Sequence, residues 1–193
     1  LDMPETVDTL ITVWSKTSFN GWEEITDSLS RIAKRGVMND VSLVETVSLL
    51  EEILRQAYES EHALSLFEEN SDSKLITDML SHQLSQMKVI ILKLALLNHP
   101  DAPLQTFAHA VTTPGASTLP NVLEYLDNVL EKTVREKVVP LLDETDAAEK
   151  VQVGNKLFNL QSKSSEEWLI YWLNGKSNYK SAVAFDYVLK KRL

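Results

Sequence analysis

One stretch constrains the fold of this chain more than any other. Residues 117–144 read STLPNVLEYLDNVLEKTVREKVVPLLDE, with apolar side chains at three- and four-residue steps in two successive blocks. This spacing is typical of amphipathic α-helices, and it predicts two short helices that meet at a tight joint. Because two such helices cannot bury both faces against each other, each apolar stripe needs further neighbours, as in a stack of helix pairs.

The ends of these two helices also have local signals. Thr118 is a candidate N-cap, and Pro120 fits the first turn, where its missing N–H costs nothing. The second helix is predicted to begin after Thr133, and Pro140 predicts a kink or an early helix end. The residues expected in the core of this pair are Leu123, Leu126 and Leu130.

Helical periodicity extends over most of the chain. Further helices are predicted at residues 4–18, 21–35, 42–67, 74–98, 103–112, 146–161, 165–175 and 178–191, and no stretch predicts a strand. About ten helices joined by short loops indicate an all-α fold, a HEAT/armadillo-like α-α superhelix of stacked antiparallel helix pairs. We expect a single domain over residues 1–193.

The helix at 74–98 is predicted to be the central one. Leu84, Ile91 and Leu94 belong to its apolar stripe, and its second half is apolar almost all round. A helix of this kind is usually buried on several sides.

Helix 42–67 has an apolar stripe and a glutamate-rich face. Its stripe contains Val44, Val47, Leu50, Leu54, Ala57, Tyr58 and His62, whereas Glu51, Glu52, Glu59 and Glu61 are placed outside it. The acidic face is interpreted as a solvated helix surface, with an acidic docking surface as the alternative.

Several polar residues mark helix ends. Capping boxes are predicted for Asn20 with Glu23, Ser42 with Glu45 and Ser164 with Glu167, an N-cap at Thr145, and a helix end at Gly36.

Composition and charge exclude some classes of function. The chain has no cysteine, so thiol nucleophiles, disulfides and thiolate metal sites are absent. Its net charge is −9, and residues 1–72 hold five Lys/Arg against fifteen Asp/Glu. That charge would repel phosphate backbones, so nucleic acid is not an expected partner. The longest apolar run, residues 89–97, is too short to span a bilayer, so we expect no membrane insertion by this chain.

No motif for catalysis, cofactor binding or metal binding occurs. Asp78 and His82 could form a carboxylate–imidazole couple, but an exposed helix pair is the simpler interpretation. The histidines lack ligand spacing, and the acidic run 143–146 lacks the pattern of a calcium loop, so it is read as a helix terminus with an N-cap. We predict no catalytic residue, no cofactor and no metal.

Tryptophans cluster towards both ends of the chain. Trp168 and Trp172, with Tyr171 beside them, could anchor an interface, because Trp and Tyr dominate binding hot spots. A core position under the last helix pair is the preferred interpretation. Trp14 and Trp22 are interpreted in the same way.

The central stretch resembles a known family. Residues 122–130, VLEYLDNVL, are similar to an ALEYLDNLL segment in the HEAT-like helical regions of bacterial proteins related to ATP/ADP translocases. Val134, Arg135, Val138 and residues 140–144, PLLDE, resemble the usual continuation of that segment. Upstream, two long helices ending in LLNHP at 96–100 resemble the pair that precedes it. The resemblance covers residues 42–144.

In those proteins a membrane transporter part precedes a soluble helical part. The resemblance implies a non-catalytic interaction or regulatory domain on the cytoplasmic side of a bacterial inner membrane, whose partner is another protein or its own transporter part. It carries over no nucleotide-binding residue, because the matched segment is structural in that family too. The start at Leu1 instead of Met favours a fragment of a longer protein. A free-standing scaffold or adaptor, and a helical enzyme or small-ligand protein, are the alternatives.

Overall fold

The computed structural model describes residues 3–17, 21–36, 40–67, 70–161, 163–175 and 177–191. Within these ranges the chain forms ten α-helices and no β-strand, which confirms the all-α prediction. The helices are α1 (Met3–Lys16), α2 (Trp22–Lys34), α3 (Asp40–Ser65), α4 (Lys74–Ala95), α5 (Leu104–Thr112), α6 (Leu119–Val129), α7 (Lys132–Leu142), α8 (Ala147–Phe158), α9 (Ser165–Leu173) and α10 (Asn178–Lys191).

The chain divides into two compact units. Unit 1 comprises residues 1–54 and 86–144, and unit 2 comprises residues 55–85 and 145–193. Unit 1 therefore contains the first part of α3 and the second part of α4, and unit 2 contains the remainder of both helices. The shorter helices belong to one unit or the other. The expectation of a single domain over residues 1–193 stays a prediction.

The core of unit 1 is built from the apolar stripes of its helices. Trp14 of α1 and Trp22 of α2 are buried and stack with ring centroids 4.8 Å apart. In α4 the successive residues Ile90, Ile91 and Leu92 are all buried. Three consecutive residues point in different directions around a helix, so this part of α4 is enclosed on several sides, as predicted.

Unit 2 has a separate core around α9 and α10. Trp168, Leu169 and Trp172 of α9 pack with the end of α3, the start of α4 and two residues of α10. The members of this cluster are Ala63, Phe67, Ile76, Met79, Leu80, Trp168, Leu169, Trp172, Val183 and Ala184. The core interpretation of the two tryptophans is therefore confirmed, whereas Tyr171 is 58% exposed.

The predicted helix pair forms as expected, with a joint of two residues. Leu130 and Glu131 have extended backbone angles and separate α6 from α7. Leu126 and Leu130 are buried, whereas Leu123 is only half-buried. Leu84, Ile91 and Leu94, the other predicted core residues, are buried.

Some predicted details of helix ends are wrong. Thr118 takes the N-cap position of α6, but its side chain caps nothing. Helix α7 begins at Lys132, ahead of Thr133. It contains Pro140 and ends two residues later at Leu142, so only the exact end differs from the predicted early end. Asp146 rather than Thr145 caps α8, since its carboxylate accepts a hydrogen bond from the Ala148 N–H at 3.3 Å.

The three predicted capping boxes have three different outcomes. The box of Ser164 with Glu167 is present in full. Helix α3 already includes Asp40, so Ser42 lies inside the helix and not at its N-cap. Asn20 lies outside the described residues, and Gly21 occupies the N-cap position of α2. Gly36 ends α2 as predicted, with a φ of +69° that favours glycine.

None of the helices in the described ranges combines the length and the hydropathy that a membrane crossing requires.

Candidate functional site

An open cleft in unit 1 is the best candidate for a binding site. It has a volume of about 410 Å³ and is lined by α3, by the end of α4 and the turn after it, and by the joint between α6 and α7. Its apolar lining consists of Val47, Leu50, Leu94, Ala95, Leu97, Val129, Leu130 and Val134, and its polar lining of Thr46, Asn98, His99 and Glu131. A concave, mainly apolar surface with a few polar groups is typical of binding sites.

The cleft exists because two predicted core stripes lack a complete set of neighbours. Val47 lies on the apolar stripe of α3 with Leu50 and Leu54, yet it is 46% exposed while both leucines are buried. Val134 on the stripe of α7 is only half-buried. The prediction of a buried Val47 is therefore wrong, because this side chain lies in the wall of the open cleft.

Most charged side chains beside the cleft are paired. On α7, Lys132 lies 3.8 Å from Glu136, and the Arg135 Nε lies 3.5 Å from the Asp127 carboxylate of α6. Lys137 forms an ion pair with Glu51 of α3. Glu131, in the lining itself, is exposed and forms no ion pair with another described residue. The charge left unbalanced at this site is therefore negative.

A second group of polar residues is buried in unit 2. The Lys150 Nζ of α8 lies 3.4 Å from the Glu61 Oε1 of α3, and the two side chains are 8% and 6% exposed. The prediction that Glu61 belongs to a solvated face is therefore wrong. Position 61 follows Leu54 by seven residues and Tyr58 by three, so helical geometry places it on the apolar stripe whatever its charge.

Helix α8 buries a lysine and a glycine more completely than its apolar side chains. Lys150 and Gly154 are its buried residues, whereas Val151, Val153, Leu157 and Phe158 are half-buried. The Tyr58 ring lies against Gly154, and its centroid is 5.8 Å from that of Phe158. Lys150, Gly154 and Phe158 recur every four residues, so one side of α8 faces α3.

Burial changes the titration of two neighbours of the ion pair. Burial first, and then the nearby Glu61 carboxylate, raise the pKa of the Tyr58 hydroxyl. Burial first, and then the ammonium of Lys163, lower the pKa of His62. His62 is buried, as its place on the α3 stripe predicts. Because Glu61, His62 and Lys150 are covered by protein, this group holds α8 on α3 and presents no surface to a substrate.

The polar residues singled out in the sequence do not come together as a site. Asp78 is exposed and lies 3.8 Å from Lys74, one turn away, and His82 is also exposed. The acidic run 143–146 is the end of α7 followed by the N-cap of α8, as predicted. Across the described residues, no three His, Asp or Glu side chains are grouped where one metal ion could bind.

A second exposed apolar surface lies on the last two helices. Tyr171 of α9 and Phe185 of α10 are more than half exposed, and so are the other residues of this surface except Leu173. Its members are Ile170, Tyr171, Leu173, Tyr179, Phe185 and Leu189. Lys163 lies with its Nζ 4.6 Å from the centre of the Trp168 ring beside this surface.

The sequence interpretation missed the cleft as a site. Asn98 and His99 stand out in the sequence only as part of the LLNHP segment at 96–100, and Thr46 carries no signal of its own. No sequence pattern distinguishes Val47 from the other residues of the α3 stripe, so no signal in the sequence identifies the cleft. Comparison with models of protein families, with curated proteins and with solved structures finds no match for this chain.

Proposed function

We propose that this chain is a non-catalytic helical interaction domain that binds a protein partner through the cleft of unit 1. The observation that carries the proposal is Val47, a residue of a core stripe that remains 46% exposed at the mouth of an apolar cleft. Single exposed apolar side chains are common on protein surfaces, but Val47 belongs to a contiguous, mainly apolar cleft, which is typical of an interaction site. A partner that supplies apolar side chains would complete the stripe.

In-cell photo-cross-linking tests this proposal. A photoreactive residue at position 47 is expected to cross-link one partner protein, whereas the same residue at position 13 is not. Val13 is a matched control, because it is 41% exposed on α1 in the same unit and does not line the cleft. Equal yields from both positions would contradict the proposal.

The finer architecture that we propose is a HEAT/armadillo-like stack. Its support is the packing of helices that follow one another in the chain: α1 on α2, α5 on α6 and α6 on α7 in unit 1, and α9 on α10 in unit 2. In a stacked array each pair is stabilised mainly by its neighbours. Amide hydrogen exchange should then show protection that falls stepwise from inner to terminal pairs, and one common exchange rate for all helices would contradict the stack.

We further propose that the domain is the soluble part of a bacterial membrane transporter of the ATP/ADP-translocase type, on its cytoplasmic side. The support is the resemblance of residues 122–130 and their continuation to the helical regions of such proteins. The sequence of the reading frame around residues 1–193 tests it. Several apolar segments of roughly 20 residues each in the same frame are expected. A frame without them would leave a free-standing scaffold or adaptor.

A small-molecule ligand is the second candidate. A volume of about 410 Å³ lies within the range of known ligand pockets, and His99 and Glu131 supply polar groups to the lining. A thermal-shift screen of metabolites tests this alternative. A compound that raises the melting temperature of the chain, but not that of a variant with Ala95→Leu in the cleft, would support it.

A further inference from the structure

We infer that the partner in the cleft of unit 1 is a basic amphipathic helix, which lays its apolar stripe into the cleft and its cationic side chains along the rim. This inference rests on the proposed function and adds the chemical class of the partner. Three observations support it: the apolar lining, the periodic arrangement of that lining on helices, and the charge of the unit.

The apolar lining of the cleft favours a partner that supplies aliphatic side chains. Eight of its twelve residues are apolar, and Leu50, Leu94 and Leu97 form the buried part while Val47 remains exposed. Apolar side chains that displace water from such a surface contribute in proportion to the area they cover. Leucine-sized side chains of a partner would fill the cleft, whereas polar ones would lose hydration without replacement.

The arrangement of the lining favours a helix as the partner. Val47 and Leu50 are three residues apart on α3. Ridges of this kind pack against the ridges of another helix. An amphipathic helix with apolar residues at i, i+3, i+4 and i+7 offers the complementary surface and is a common mode of peptide recognition.

The charge of unit 1 selects for a basic partner. Residues 1–54 and 86–144 hold nine Lys/Arg and seventeen Asp/Glu, a formal charge of −8 out of the −9 of the whole chain. The three cations of α7, Lys132, Arg135 and Lys137, are already paired with acidic side chains. Glu131 lines the cleft and has no ion-pair partner among the described residues, so a lysine or arginine of the incoming helix can pair with it.

Three labelled peptides test the inference on the full chain. All three share one stripe of leucines at helical spacing and differ only on the opposite face, which carries lysine, glutamine or glutamate. Fluorescence anisotropy should show the tightest binding for the lysine peptide and the weakest for the glutamate peptide. Added salt should reduce this difference, because salt screens exposed charges.

Two variant pairs locate the binding. Val47→Asn should weaken binding of the lysine and glutamine peptides alike, about fivefold or more, whereas Val13→Asn should leave both unchanged. Glu131→Gln should weaken only the lysine peptide, about two- to fivefold. Glu124→Gln is its matched control, because Glu124 is exposed on α6 and does not line the cleft.

The outcomes separate this inference from the proposed function. Equal affinities for the three peptides, all reduced by Val47→Asn, would overturn the basic partner and leave the cleft as an interaction site. Binding of the lysine peptide that Val47→Asn does not change would overturn the inference and place the contact elsewhere. If none of the peptides binds, the helical partner is wrong, and cross-linking at position 47 decides separately on the docking role of the cleft.

Discussion

At the scale of single residues, two leucines of α6 show that helical periodicity alone does not determine how deeply a side chain is buried. Both lie on the same predicted stripe, but Leu126 is fully buried and Leu123 is half-buried. Leu126→Ala should cost about 2–5 kcal/mol of unfolding free energy, because it leaves a cavity in a packed core. Leu123→Ala should cost clearly less. Urea unfolding of the two variants gives the comparison, and equal midpoints would count against the burial of Leu126.

The buried ion pair makes a different prediction. Lys150→Met removes the ammonium that pairs with the buried Glu61 carboxylate, which should cost about 3–5 kcal/mol. Replacing both residues, Lys150→Met with Glu61→Leu, should recover most of that loss, because an apolar pair of similar volume needs no hydration. Chemical denaturation of the single and double variants measures the difference. A double variant as unstable as the single one would show that the pair is not what makes Lys150→Met costly.

The lowered pKa of His62 predicts that the folded chain loses stability in mild acid. Because its pKa is lowered from 6.5 in the folded chain, the unfolded chain binds a proton there first. The residue therefore has little effect well above pH 6.5, and stability falls as the pH drops through this value towards the lower pKa of the folded state. Melting temperatures at pH 7.5 and 5.0 should differ less for His62→Gln than for the natural chain. An unchanged difference would assign the acid sensitivity to other groups.

At the scale of elements, Gly154 shows how α8 approaches α3. A Cβ at this position would lie 2.8 Å from the Cβ of Tyr58, closer than side-chain atoms normally come. Alanine favours a helix over glycine by up to about 1 kcal/mol, yet we expect Gly154→Ala to destabilise the chain by about 1–3 kcal/mol through overpacking. Gln152→Ala, at an exposed position of the same helix, should be close to neutral. A stabilising Gly154→Ala would mean that Tyr58 moves aside easily.

The sequence predicts which segments form helices better than it predicts the residues at which those helices begin and end. The type of all ten helices follows from apolar spacing, which is set within each helix. Ser164 and Glu167 form their box because both partners lie within three residues. Thr145 and Asp146 are both good caps, and the choice of Asp146 depends on where the backbone turns into α8. Pro140 predicts the end of α7 to within two residues, since the helix ends at Leu142.

At the scale of the whole molecule, tertiary packing decides what the sequence pattern leaves open. Periodicity identified Leu50, Leu126 and Ile91 as core residues, and all three are buried. It could not predict that Val47 lacks a covering helix or that Glu61 meets Lys150 across 89 positions of sequence. Such pairings depend on which helices become neighbours in space. The cleft, which results from a missing neighbour, is therefore visible only in three dimensions.

The most direct test of the central claim is a methyl NMR titration of the labelled chain with the lysine peptide. We predict that the methyl signals of Val47, Leu50 and Leu94 shift together and saturate at one peptide per chain, while those of Val13 and Val183 stay in place. Shifts centred on Leu189 and the exposed surface of α10, with the cleft residues unchanged, would contradict the account.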